Sequence, residues 1–246
     1  MQVIPCIVVP AFIALAAAVI VFGILKARQR REAMARLAAE LGFEFYPDDP
    51  WGIAERYAMF ELFGRGHSRK ASNILCGELD GRAVVAFDYK YTTGSGKNQS
   101  THHYQGVVLG LPIMAAGLRM RGETVFDRLA SWVGWDDIDF ESDEFSRRYH
   151  VRSEDRRFAY DIFHARLIEH LLACGDPSTG SGSLRAGSRG DVPDLEMKGN
   201  LMILYDGQRD AENVRRLLSI GREIVASIPE YVLKARGIGR EEGGKT

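Results

Sequence analysis

What this sequence most plainly lacks is a catalytic or cofactor motif. Its three cysteines, Cys6, Cys76 and Cys174, are odd in number and widely spaced, and Cys6 lies within an apolar segment. That excludes a disulfide framework and fits a reducing compartment. No C-x-x-C or H-x-x-x-H pair is present to begin a zinc site, so neither a metal nor a cofactor is expected. An excess of charge is also missing: 32 basic and 33 acidic residues leave a formal net charge of −1. No global field gathers nucleic acid, and none is expected as a partner. The 46% of hydrophobic residues nonetheless supplies a sizeable core and excludes disorder throughout.

The most informative stretch that is present runs from Val3 to Leu25, VIPCIVVPAFIALAAAVIVFGIL, without a charged residue. As a helix it would measure about 35 Å, enough for a hydrocarbon core of ~30 Å. Pro5 and Pro10 fall in its first half, where a missing N–H is best tolerated. A cleaved signal peptide fits poorly, since the A-x-A sites near Ala16 to Ala18 lie inside the run. Lys26, Arg28, Arg30 and Arg31 follow at once. Basic residues on this flank predict a single-pass membrane protein with its N-terminus outside and the following domain cytoplasmic. The same four side chains are candidates for anionic lipid headgroups.

The rest reads as α+β: a domain over residues 43–236 of antiparallel hairpins with packed helices, behind a juxtamembrane helix over 26–42. Met34, Leu37, Ala38 and Leu41 repeat with helical spacing up to Gly42. A strand is expected at Phe43–Tyr46 and a short helix after Asp49-Pro50. Asp80-Gly81 joins strands near Ser72–Leu79 and Arg82–Tyr91 as a tight hairpin. A third strand is expected over His102–Leu111, ending at Pro112, and a fourth at Leu118–Arg121. A helix over Val125–Val133, a half-buried strand at DIDFE and another at Tyr149–Arg152 come next. Ser153 is read as the cap of one helix bearing Phe158, Ile162, Leu167 and Leu171 up to Gly175. A Gly/Ser-rich excursion over 175–194 precedes a second hairpin, Leu195–Lys198 with Leu201–Tyr205, and a helix from Asp210 to Pro229. Residues from Gly237 read as a disordered tail. Strand, acidic turn, helix and hairpin recur at 43–91 and 149–205, the pattern of an internal duplication.

Few constellations point to chemistry. The loop TTGSGKNQSTHH has glycines and Lys97, but Tyr91 stands where a phosphate loop needs its first glycine and Asn98 follows the lysine. His102 and His103 are adjacent and face opposite sides of a strand, so they cannot chelate one metal. Asp137, Asp139, Glu141 and Asp143 alternate like the start of a calcium loop, yet Ser142 replaces the turn glycine and Arg148 the closing glutamate.

The anchor with its basic stop, the segment FGRGHSRKASNILCGELDGRAVVAFDYKYTTGSGKNQST and the segment DIDFESDEFSRRYHVRSEDRRFAYDIFHARLIEHLL together resemble a bacterial single-pass membrane-anchored family with a domain of unknown function. Asn73, Leu75, Gly77, Phe87, Asp88, Tyr89 and Tyr91, then Phe145, Tyr149, Val151 and Asp155, carry the resemblance. It implies anchoring and a shared fold, and it transfers no active-site residue. The leading expectation is a non-catalytic interaction module at the inner membrane face, integral by one helix, with a protein partner or anionic lipid. The alternative is a membrane-bound enzyme, such as a hydrolase, with Asp88, Lys97 and His102 around the Thr92–Ser100 loop.

Overall fold

The computed structural model describes residues 4–122, 137–174 and 192–238, with side chains from residue 14 onward. It begins with one unbroken helix, α1 (Ile4–Leu41), which Gly42 ends at φ +70°, the left-handed stop that glycine adopts without a Cβ penalty. From Leu15 to Leu25 its large apolar side chains lie open, with Phe22 69% exposed, whereas Met34, Leu37 and Ala38 are buried. Among the described residues no helix is long and apolar enough to cross a membrane. The described apolar part of α1, residues 14–25, rises only about 18 Å, and the first half of the expected Val3–Leu25 span lies outside the described side chains.

Among the described residues six strands form one antiparallel sheet: β1 (Glu44–Asp48), β2 (His67–Leu79), β3 (Arg82–Thr93), β4 (Ser100–Gly122), β5 (Tyr149–Ser153) and β6 (Asp194–Asp206). Asp80 and Gly81, both at positive φ, make the expected tight turn between β2 and β3. β4 is the spine. β3 lies along its first half and β5 along its end, while β6 covers its other edge from Gln105 to Met120.

β4 corrects the expected third and fourth strands, because it runs straight through Pro112. The ladder to β6 shifts register between Gly110 and Ala115, so the proline falls where no strand N–H is required. The second hairpin is likewise a single strand. Gly199, at φ +59°, bends β6 opposite Ala115 without reversing it. This removes the hairpin on which the second copy of the repeated pattern rested.

Helices cover both faces of the sheet. On one face α1 packs with α4 (Asp143–Arg148), α5 (Arg156–Ile162), α6 (Ala165–Cys174), α7 (Ala211–Ala226) and α8 (Glu230–Arg236), around Leu75, Val107, Leu109, Phe158, Leu204 and Leu217. The other face is aromatic: Phe87, Tyr89, Tyr91, Tyr104 and Tyr205 lie beneath α2 (Ile53–Arg56) and α3 (Glu61–Gly64). The Asp49 carboxylate accepts from the backbone N–H of Trp51, Gly52 and Ile53 and so starts α2.

The helix expected over 153–175 is broken in two. Asp155, not Ser153, caps α5 by accepting from the Phe158 N–H. His164 sits at the break, its Nε2 2.9 Å from the Ser227 carbonyl and its own carbonyl accepting from Leu167 and Ile168. The expected DIDFE strand reduces to one bridge, Asp137 with Arg152, because Ile138 and Phe140 turn into the core. α8 was not expected. It follows Pro229 and lays Val232 against the core. The Val125–Val133 helix, the 175–191 part of the Gly/Ser-rich excursion and residues 239–246 of the tail lie outside the described residues.

Candidate functional site

The domain holds α1 by apolar packing and by charge. One turn before Met34, the Arg30 guanidinium forks onto Asp88 of β3, Nε to Oδ2 at 3.0 Å and Nη2 to Oδ1 at 2.6 Å, the two-point geometry that suits a carboxylate. Asn73 of β2, held at φ +51°, donates to Oδ2 at 2.9 Å, and Gln105 of β4 donates to Oδ1 at 3.2 Å. All four acceptor positions of Asp88 are therefore occupied, and the residue is 8% exposed.

The network continues beneath the sheet's helical face. Gln105 Oε1 accepts from Asn213 Nδ2 at 3.0 Å, and the same nitrogen reaches Asp206 Oδ1 at 2.9 Å. Arg216 closes the far side of Asp206. Burial pushes the Asp206 carboxyl up, although Arg216 and Asn213 oppose it. A continuous polar path thus ties α1 to α7 through β2, β3, β4 and the end of β6. With no lone pair of Asp88 left for a substrate, this is a clamp.

The structure does not bring the sequence candidates together. Asp88 pairs in register with Gln105 on the helical face, whereas His102 pairs with Tyr91 and shares the opposite, aromatic face. The His102 ring stacks on Tyr91 at 5.0 Å, and its Nε2 is 2.8 Å from Thr93 Oγ1. Lys97 stands exposed on the 3₁₀ turn Gly96–Asn98 at the β3–β4 tip. The headgroup set also changes: Arg30 is turned inward to Asp88 and leaves it. Lys26 is exposed, as is Arg28 beside Glu32, and Arg31 lies 4.0 Å from Asp48.

A second charged cluster, which sequence reading missed, is built on the aromatic face. Glu61 of α3 receives Arg121 at 2.7 Å, Arg65 at 3.0 Å and Arg119 at 3.0 Å. Glu196 of β6 accepts from the Glu61 N–H at 2.9 Å, from Arg119 at 3.3 Å and from the Tyr205 hydroxyl at 3.2 Å. Burial acts to raise the Glu61 carboxyl, but Arg121 and Arg65 overcome it and hold it below its ordinary value. Burial also pushes the neighbouring Tyr91 hydroxyl up to about 12. Glu61 and Glu196 are 135 residues apart, and no local spacing announces such a pair. Its arrangement fastens the α2–α3 cover to β4 and β6. Among the described residues there is also an open hollow of about 400 Å³ lined by Asp139, Phe140, Asp143, Ser146 and Arg147. Cys76 and Cys174 are both free, half-buried thiols, and among the described residues no three His, Cys, Asp or Glu side chains could hold a metal ion.

No family model matches the chain, and no curated protein matches it. Among solved structures, the fold is similar to that of the mycobacterial trehalose monomycolate transport factor A, TtfA. The TM-score is 0.52 at 11% sequence identity, covering 87% of this chain and 99% of that one. At such identity the likeness is one of fold.

Proposed function

We propose that this chain is a non-catalytic interaction module held at the cytoplasmic face of a membrane, serving as an accessory factor to a partner protein in envelope transport. The observation that carries the reading is α1 itself: one helix passes from openly exposed apolar side chains at Leu15–Leu25 to the buried Arg30–Asp88 clamp. A helix apolar on all sides and uncovered by its own domain has lipid as its natural surrounding. The run is completed by the uncharged residues 3–13, and the basic residues behind it favour the inner side. Since no linker separates the run from the clamp, the bilayer fixes the orientation of the whole sheet. The accessory role takes its support from the fold shared with a transport factor.

The test is fractionation of cells expressing the full chain, with a reporter fused after Thr246. The chain is expected to resist carbonate extraction and the reporter to score in the cytosol. Val19→Lys with Phe22→Lys should release it. Carbonate release of the unaltered chain, or a reporter active only outside, refutes the placement.

A further inference from the structure

A row of like charges crosses the helical face of the sheet above the clamp. Lys70 of β2 is paired in register with Lys90 of β3, and Lys90 with His103 of β4. Arg209, between β6 and α7, reaches His103 Nδ1 at 2.9 Å. Register partners in an antiparallel sheet project from one face about 5 Å apart, and like charges so placed destabilise it. Burial, Arg209 and Lys90 all lower the His103 pKa, so its ring is the neutral acceptor and the row carries its charge on Lys70, Lys90 and Arg209.

Nearby acids do little to offset this charge. Asp48 approaches Lys70 at 3.6 Å but is shared with Arg31 and largely exposed. Asp88 and Asp206 are enclosed by Arg30 and Arg216. Asp210 caps α7 through the Asn213 N–H, and Glu212 lies beside Arg215.

The row also lies at a particular height. The chain leaving α1 enters the sheet as β1 at Glu44, opposite Cys76, which in turn pairs with Val85, whereas Arg30, nearer the N-terminus of α1, meets Asp88. Ascending α1 toward its apolar run therefore runs in the same direction as ascending β3 from Val85 to Lys90. Lys90 lies two residues, about 7 Å, beyond Asp88. Lys26, where the apolar run ends, lies four residues, about 6 Å, beyond Arg30. The β3–β4 hairpin continues past Lys90 to Thr93 and carries exposed Lys97 at its tip.

We propose that this end of the sheet, from Lys70, Lys90 and Arg209 up to Lys97, is a docking surface for anionic phospholipid headgroups. It rests on the membrane-held reading of α1 and adds a second, lipid-selective contact to it. The complementary charge is supplied by the leaflet on which the apolar run already places the domain. The Gly/Ser/Lys loop acts there as a polar tip seated among phosphates, with Gly94 and Gly96 at positive φ shaping the turn.

The test uses the full chain in nanodiscs of phosphatidylcholine alone or with one third phosphatidylglycerol. Reductive methylation of each lysine is followed by mass spectrometry, with Lys198 and Lys234 as exposed internal controls. Lys70, Lys90 and Lys97 are expected to label about five-fold more slowly in the anionic discs, the occupancy expected for a basic side chain at such a surface. High salt should abolish the difference, and Arg209→Gln should weaken it at Lys90. Equal labelling in both discs overturns the docking surface while chain retention in both leaves the anchor standing. Chain recovered only with anionic discs, with the lysines protected, supports docking and refutes the anchor; recovery with neither refutes both. Stronger protection by an added oligonucleotide or polyglutamate peptide than by phosphatidylglycerol overturns lipid as the occupant.

Discussion

The clamp gives the sharpest quantitative expectation. Arg30→Met keeps an unbranched apolar stem but removes the guanidinium, so Asp88 retains only Asn73 and Gln105 as donors. Removing one partner of a buried ion pair costs about 3–5 kcal/mol. Here the side chains keep 17% and 11% exposure, and two neutral donors still serve the carboxylate, so about 2–3 kcal/mol is expected. The loss falls on α1, whose other grip is Met34, Leu37 and Ala38. At 1.36 kcal/mol per factor of ten, local opening of residues 30–41 should increase roughly 30- to 150-fold. Hydrogen exchange of the full chain in nanodiscs reads this directly. The double variant Arg30→Met, Asp88→Asn should recover part of the loss, because it leaves no unpaired charge behind and keeps an acceptor oxygen for Asn73 or Gln105. Unchanged exchange in Arg30→Met, or a double variant looser than the single, would refute the reasoning.

Two further expectations concern the aromatic face. The Tyr89 hydroxyl is buried without a hydrogen-bond partner among the described residues, and its pKa is pushed by burial to about 12. Tyr89→Phe should therefore be neutral or stabilise by up to about 1 kcal/mol in thermal unfolding, whereas Tyr205→Phe, which strips a donor from buried Glu196, should cost about 1–3 kcal/mol. Equal effects would sink the contrast. Glu61 has a folded pKa below its ordinary 4.5, so between these values the unfolded chain binds more protons. Its stabilisation is complete above pH 4.5 and is lost as the pH falls through the folded value. Stability measured against pH should show a shallower acid limb in Glu61→Gln than in the unaltered chain.

Local chemistry alone settled several elements. Asp80-Gly81 requires positive φ twice and gives the β2–β3 hairpin, Asp210 accepts from the Asn213 N–H and starts α7, and the spacing of Met34, Leu37 and Ala38 marks the buried stripe of α1. These depend on neighbours within a few residues, so the sequence contains the whole cause. Whether a proline or glycine ends a strand is different. Pro112 and Gly199 read as stops, yet the facing irregularities of β4 and β6 absorb both, which only the paired strands could decide. The same holds for the charges. Arg30 belongs to a basic run that reads as four equivalent headgroup ligands, but its partner Asp88 is 58 residues away. Asp88, His102 and Lys97 read as a group around one loop, and the two-residue period of β3 and β4 sends Asp88 and His102 to opposite faces. Composition and periodicity thus determined that there is an apolar helix and an α+β domain. Which charges are spent as clamps, and which stay open at the end of the sheet that carries Lys90 and Lys97, was decided by contacts between distant strands, whose register no local pattern encodes.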